Sequence, residues 1–90
     1  MSNDSWKWQY KEIKDFLENK YDVKVNLRYE HKYNFTINIF MKKDIFSNIE
    51  KSIKERYSLW HPEFMEIHLD PNFHYKHGAK KIVAVTFFKL

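Results

Sequence analysis

Apolar residues near the start of the chain recur every three or four positions. They are Trp6, Tyr10, Ile13, Leu17 and Tyr21. This spacing places them on one face of a helix, so the pattern predicts an amphipathic helix over residues 4–21. A second run of the same period predicts another helix over residues 45–60, with Asp44 as its cap and Pro62 as its limit.

Elsewhere the apolar positions alternate, which is the two-residue period of a β-strand. Residues 23–29 and 35–41 alternate around a short polar segment and predict an antiparallel hairpin. Residues 64–70 alternate again and predict a third strand. Residues 82–88 are apolar on both faces, which is typical of a central strand or of one with a partner on its outer side.

The resulting αββαββ order predicts an α+β fold. Two amphipathic helices need an apolar surface to cover, which favours a four-stranded, mostly antiparallel sheet with both helices packed on one face. Ninety residues suit a single domain over 1–90. A shift of 40 positions matches Val25 to Met65 and suggests a pseudo-repeat of two αββ units, residues 4–41 and 44–89.

The amino-acid composition limits the kinds of site that the chain can form. Lys and Arg total 16 against 12 acidic residues, so the chain is mildly basic, with a net charge of +4. The absence of cysteine excludes disulfides, thiolate nucleophiles and Cys-ligated metals, and favours the cytoplasm. No apolar run approaches the length of a membrane span, so we expect no membrane partner. The single glycine argues against a phosphate-cradling loop, and we expect no cofactor.

Packing both helices on one side leaves the other face of the sheet open. We expect Val25, Leu27, Ile37, Ile39, Met65 and Ile67 to face the helices. The residues then expected on the open face are Lys24, Asn26, Arg28, Asn38, Phe40, His68 and either Phe87 or Phe88. Rings mixed with cations and amides suit a single-stranded nucleic acid, because rings stack on bases while cations hold phosphates. A solvated face, or one covered by a protein, would have a similar pattern.

The densest basic and aromatic segment is the predicted loop over residues 71–81, which contains no acidic residue. In an antiparallel sheet it lies at the opposite end from the first hairpin tip around Lys32. We therefore predict a small non-enzymatic module that binds DNA or RNA, with single strands slightly favoured, through this loop and the open face. The predicted nucleic-acid-binding residues are Arg28, Lys32, Phe40, His68, His74, Tyr75, Lys76, His77, Lys80 and Lys81.

Two alternatives remain open. One is a protein-binding regulator or inhibitor, such as a phage or mobile-element accessory protein that acts on a host protein, or a homodimer joined through the last strand. Its expected contact residues are Trp8, Phe40 and Phe88. The other is a small metal-independent ribonuclease-like toxin, but the spacing of the His residues indicates neither a catalytic arrangement nor a zinc site. We predict no enzyme and no metal.

Overall fold

The computed structural model describes the backbone of residues 4–88 and the side chains of residues 7–88, so the predicted inward position of Trp6 lies outside what is described. The elements are α1 (Asp4–Lys20), β1 (Val23–Glu30), β2 (Asn34–Met41), α2 (Phe46–Arg56), β3 (Glu63–Ile67) and β4 (Lys81–Phe88). The four strands form one antiparallel sheet in the order β1-β2-β4-β3. The predicted α+β class and αββαββ order are confirmed.

Both helices cover the same face of the sheet. Their buried side chains share one apolar cluster with alternate residues of the two central strands, among them Ile13, Leu17, Ile49, Ile53, Ile37, Ile39, Val83, Val85 and Phe87. The rings of Phe35 and Phe87 stack across β2 and β4 with centroids 5.3 Å apart, which joins the two hairpins. Strand β4 is apolar on both faces because it is central. Phe87 faces the helices, so Phe88 faces away from them.

The outer edge of β1 is closed by side chains of α1. Lys14 Nζ donates a hydrogen bond to the Val25 carbonyl oxygen at 2.7 Å, and the Val25 N–H donates to the Glu18 carboxylate at 2.8 Å. Lys14 and Glu18 also form an ion pair at 2.8 Å. Partial burial raises the pKa of Glu18, but hydrogen bonds from Lys14 and Val25 outweigh it, so the net pKa lies below its ordinary value. These contacts occupy backbone groups that would otherwise accept a further strand.

Strand β3 has the opposite orientation from the one predicted. Phe64 pairs with the core residue Val85 and faces the helices, whereas Met65, which is 61% exposed, and Ile67 face away. The Phe64 ring packs edge-on against Phe46 of α2 at 5.8 Å and is partly buried against the core, where an aromatic ring removes more apolar area from water than the methionine would. The strand also ends three residues earlier than predicted, because the chain turns there into the next connection.

The second helix is shorter than predicted. It ends at Arg56 and is followed by a 3₁₀ turn, Ser58–Trp60. Asp44 is not the N-cap residue as predicted. Ile45 occupies that position and makes no side-chain cap bond, while the Asp44 carboxylate, one residue earlier, accepts a hydrogen bond from the Phe46 N–H at 3.1 Å. Past the helix, Trp60 stacks on Tyr57 with centroids 5.3 Å apart, so the turn still contributes to the core.

Candidate nucleic-acid interface

The two hairpin connections lie at opposite ends of the sheet. The first, residues 31–33, joins β1 to β2 and is called here the hairpin tip. The second, residues 68–80, joins β3 to β4 beside the start of β1 and the end of β2, because Ile67 pairs with Ile82, and Ile82 pairs with Phe40. The strand register therefore separates the two basic segments, and they do not form one site.

Residues 70–75 form a hydrogen-bonded turn. The Asp70 carboxylate accepts a bond from the Asn72 N–H at 2.9 Å, and the Asp70 carbonyl accepts one from the Phe73 N–H at 3.1 Å. The Asp70 N–H in turn donates to the Tyr75 hydroxyl at 2.8 Å. Asp and Pro favour such turns, since Asp bonds the backbone two residues on and Pro fixes its own φ. The connection is therefore a built structure with a defined presentation of its side chains.

The rest of this connection folds over the open face of the sheet. Ala79, Ile82 and Phe40 form a small buried cluster there, with Ile67, Leu69 and Tyr75 packed against it. The Lys80 N–H donates to the Met41 carbonyl at 2.7 Å, and the ring of His77 packs edge-on to Phe40 at 5.2 Å. This half of the sheet face is therefore covered by its own chain.

Phe40 lies on the predicted face but is not available to a partner. It is only 8% exposed, because the connection above it excludes solvent. The expectation that its ring stacks on bases or contacts a protein is therefore corrected: Phe40 supports the loop from below. The sequence pattern correctly predicted the direction of the side chain, but not the segment that packs on it.

The backbone turns sharply at His77 and Gly78. Both have left-handed dihedrals, with φ of 61° and 65° respectively. A Cβ at Gly78 would meet no atom within 4 Å, so it is the dihedral angle rather than space that favours glycine there. The left-handed region is uncommon for residues with a side chain, although His visits it more readily than most. This turn holds the His77 ring on Phe40.

Phe73 is the exposed ring of the connection. It is 65% exposed, and its centroid lies 5.2 Å from that of Tyr75, which supports it from one side. Tyr75 was the ring selected from sequence, yet its hydroxyl is engaged by the Asp70 N–H. The signal available in the sequence was chemical: a tyrosine hydroxyl seeks a hydrogen-bond partner inside a turn, whereas a phenylalanine has no such requirement.

Exposed lysines from two connections and from strand β1 lie at the end of the sheet that carries this loop, and we call residues 68–80 together with Lys24, Lys42 and Lys43 the basic end. Lys76 and Lys80 come from the loop itself. Lys42 and Lys43 follow Met41, to which Lys80 is hydrogen-bonded, and Lys24 is paired with Phe40 in the strand register. Lys24 was expected on the open face but not among the binding residues, and Lys42 and Lys43 were missed, because the chain order does not indicate that these lysines lie at the same end of the sheet as the loop.

Lys81 does not belong to this exposed set. Its ammonium group is hydrogen-bonded to Glu66 and lies 3.8 Å from the Asp44 carboxylate on the helix side of the sheet. The hydrogen bond to Glu66 raises the pKa of Lys81 above its ordinary value, with Asp44 adding to it. We therefore correct its predicted role: Lys81 is matched by carboxylates of its own chain. The exposed acidic residues within or next to the basic end in the chain are Asp22, Asp44 and Asp70.

The histidines of the basic end are spread along the loop. His68 and His74 are exposed, and His74 lines a shallow hollow of about 100 Å³ together with Phe73, Tyr75 and Lys80. Within the described part of the chain, no group of three His, Asp or Glu side chains is placed to hold a metal ion. The hollow is too small for a nucleotide, so it can only receive part of one.

The remaining predicted nucleic-acid residues lie away from the loop. Arg28 stands on the uncovered half of the open face and donates to the Asn38 side-chain oxygen at 3.3 Å. Lys32 lies at the hairpin tip, 5.3 Å from the centre of the Tyr33 ring. The open face near Arg28 is polar, with a Thr36 to Thr86 hydroxyl bond of 2.8 Å across the central strands.

The predicted protein-contact residues do not form one surface either. Trp8 is 74% exposed and borders an open groove of about 560 Å³ beside Phe16, Lys20 and Arg56. Phe88 is half-buried near the hairpin tip, where it pairs with Asn34. Strand β4 lies between β2 and β3, so it offers no free edge to a second copy of the chain.

Comparison with protein-family models, with curated proteins and with solved structures finds no match to this chain. Neither helix, over the residues that the structure describes, is long and apolar enough to cross a membrane. A function must therefore be argued from the chemistry of the chain's own side chains.

Proposed function

We propose that this chain is a non-enzymatic nucleic-acid-binding module that uses the basic end. The observation that supports this most strongly is that exposed lysines lie at the end of the sheet that carries the exposed ring of Phe73 on a hydrogen-bonded turn, with Lys80 lining the same hollow as that ring. Lysines attract phosphates, and an exposed ring offers a surface on which a base can stack. We place this activity in the cytoplasm, because the chain contains no cysteine and therefore needs no oxidising compartment for disulfide formation.

The charge balance supports an anionic partner. Lys24, Lys42, Lys43, Lys76 and Lys80 are exposed at this end. The nearby carboxylate of Asp70 accepts a hydrogen bond from the Asn72 N–H at the base of the turn, and the exposed acids Asp22 and Asp44 stand close to Lys24 and Lys43 in the chain. The excess of cations remains, because five exposed lysines stand against these three acids. Each lysine that neutralises a phosphate releases a counterion, so binding would weaken with salt.

Two side chains that could serve a ribonuclease are engaged in structural contacts, whereas His68 and His74 are exposed. The Tyr75 hydroxyl accepts the Asp70 N–H, and the His77 ring packs on Phe40. General acid–base catalysis needs a pair of groups free to exchange protons at one reacting bond. We therefore propose binding without cleavage.

The test is a fluorescence-anisotropy titration with labelled single-stranded and duplex DNA and RNA at about 50 and 200 mM salt. The loop variant carries Lys42→Glu, Lys76→Glu and Lys80→Glu. The matched control carries Lys7→Glu, Lys51→Glu and Lys54→Glu, which are also exposed and change the net charge equally. We expect the loop variant to lose on the order of 100-fold in affinity and the control to lose a few-fold. Equal losses, or no salt-sensitive binding by the unmodified protein, would overturn the proposal.

A protein-binding role is the second candidate, and the groove beside Trp8 is the observation that favours it. An exposed tryptophan is a frequent energetic centre of protein interfaces. The guanidinium carbon of Arg56 lies 4.3 Å from the centre of the Phe16 ring in the same groove. An apolar side chain of a partner that entered this groove would therefore lie beside a positive charge. If a host protein co-purifies with this chain and Trp8→Ala releases it while the Lys-to-Glu loop variant does not, this second role is supported over the first.

A further inference from the structure

The ring of Phe73 is held so that one side remains free. Tyr75 lies against it with ring planes tilted by 43°, and the Phe73 N–H is fixed by the Asp70 carbonyl. The hydroxyl of Tyr75 is itself anchored to the Asp70 N–H at 2.8 Å. A ring fixed in this way loses little conformational entropy when a flat partner stacks on its open side.

A base within a duplex cannot easily stack on the Phe73 ring. Each base inside a duplex is already covered on both sides by its neighbours, so a ring outside the helix reaches only the grooves and the backbone. An unpaired base has a free face, and stacking on an aromatic side chain is the common way in which proteins hold single strands.

The lysines around the turn match the backbone of such a strand. Lys76 follows Phe73 by three residues within the loop, and Lys80 lies where the loop rejoins the sheet beside Met41. Lys42 follows Met41 directly in the chain, and Lys80 lines the same hollow as Phe73, so a cation lies beside the ring. In single-strand grooves, bases stack on aromatic rings while cationic side chains hold the phosphates.

From this arrangement we infer that the basic end takes single-stranded nucleic acid, with one unpaired base stacked on the free side of Phe73. This inference rests on the proposed nucleic-acid function and specifies its substrate class. His74 lines the same hollow as Phe73 and lies next to the stacked base. A phenylalanine ring makes no hydrogen bonds that distinguish one base from another, so we expect weak sequence preference.

The decisive experiment is a double-mutant cycle between the protein and the strand. The strand probes are a labelled oligothymidine and the same backbone with abasic sites, and the duplex of equal length is a further probe. We expect the intact protein to bind the oligothymidine at least about tenfold more tightly than the duplex. Phe73→Ala should lose about tenfold on the oligothymidine and almost nothing on the abasic strand or the duplex.

Two further variants separate stacking from folding. Phe73→Leu keeps an apolar side chain but lacks the ring, so it should lose nearly as much affinity as Phe73→Ala. Tyr33→Ala removes an exposed ring from the hairpin tip and should leave binding unchanged. Phe73 is largely exposed, so circular dichroism should show all three variants folded.

The outcomes distinguish the inference from the function on which it rests. If Phe73→Ala binds like the intact protein while the loop lysine variant binds poorly, the nucleic-acid function holds and the stacking inference is wrong. Equal binding of the duplex and the single strand leads to the same conclusion. If no probe shows salt-sensitive binding, the proposed function itself fails.

Discussion

The two hairpins belong to one antiparallel sheet and share one core but differ in their connections. The first hairpin, β1–β2, turns through the three residues 31–33, and its outer edge is held by Lys14 and Glu18 of α1. The second, β3–β4, has a five-residue edge strand and a connection over residues 68–80. One hairpin has a long paired strand and a minimal turn, whereas the other has a short strand and a long loop.

This difference shows which of the two connections can form a structured surface. A long loop costs conformational entropy on folding, and that cost must be offset by contacts. Here the offset comes from a second small core, in which Ala79 and Tyr75 pack over Phe40 and Ile82. The loop is therefore a structured surface supported by the sheet, while the hairpin tip only reverses the chain.

The largest effect should come from removing that second core. Phe40→Ala is expected to lower the free energy of unfolding by about 3 kcal/mol, because a nearly buried ring is lost and a cavity remains under the loop. Phe88→Ala is its matched control. Phe88 lies on the same open face at the opposite end but is half-buried, so its loss should cost roughly half as much. Urea unfolding of the three proteins measures both differences.

Nucleic-acid affinity is a second measurement that compares the Phe40→Ala and Phe88→Ala variants. Phe40→Ala should also weaken binding, although the ring touches no ligand, because the loop loses its support. Phe88→Ala should leave binding unchanged. If Phe40→Ala were no less stable than Phe88→Ala, the loop would have no core of its own and the contrast between the hairpins would fail.

A smaller effect should follow from opening the edge of the first hairpin. Glu18→Gln keeps the side-chain shape but loses the charge that holds Lys14 and the Val25 N–H, and should cost about 1–2 kcal/mol at neutral pH. Glu18 has a lowered pKa in the folded state, so its stabilisation is present above its ordinary value of 4.5 and is lost as the pH falls through the folded pKa. The two proteins should therefore become equally stable in acid.

The control for this charge is an exposed pair on the same helix. Lys11 and Asp15 are 2.9 Å apart with most of their surface in water, so Asp15→Asn should cost less than about 0.5 kcal/mol. Urea unfolding between neutral and acidic pH tests both. A stability difference between Glu18→Gln and the parent that persisted in strong acid would mean that packing, rather than charge, secures this edge.

The architecture could be predicted because its signals are local. The three- to four-residue period of the helices and the alternation of β1 and β2 come from which side of each element is buried. Ile13 and Ile53, one from each helix, are both fully buried at matching positions of the predicted 40-residue repeat. The order of the elements then follows from the order of these patterns along the sequence.

The face of β3 could not be predicted, because Phe64 and Met65 are both apolar neighbours on a short strand. A one-residue shift exchanges the two faces, and the choice depended on the contact between Phe64 and Phe46 of α2. The 40-residue alignment fails here for the same reason: Val25 is buried, but its counterpart Met65 is exposed. The repeat of two αββ units therefore stays a prediction, and this alignment does not support it in β3.

The candidate site was only partly predictable. Composition alone indicated the basic and aromatic loop over residues 71–81, and the structure presents Lys76, Lys80 and Phe73 there. The burial of Phe40 and the pairing of Lys81 with Glu66 depend on long-range contacts that no local pattern contains. Lys42 and Lys43 join the loop for the same reason, since they meet it only once the sheet is formed.

The smallest expected effect concerns the turn that presents Phe73. Tyr75→Phe removes only the hydroxyl that accepts the Asp70 N–H, and because this bond is exposed, water can partly replace it, so the cost should be about 0.5–1 kcal/mol. The consequence should be local. The Phe73 amide, bonded to the Asp70 carbonyl, should exchange its hydrogen faster, and affinity for single strands should fall about two- to threefold with an unchanged salt dependence, because no lysine is altered. Tyr33→Phe at the hairpin tip should change neither quantity. If the Phe73 amide in Tyr75→Phe exchanges as slowly as in the parent, the backbone alone fixes the turn, and the second hairpin presents its ring without help from the tyrosine beneath it.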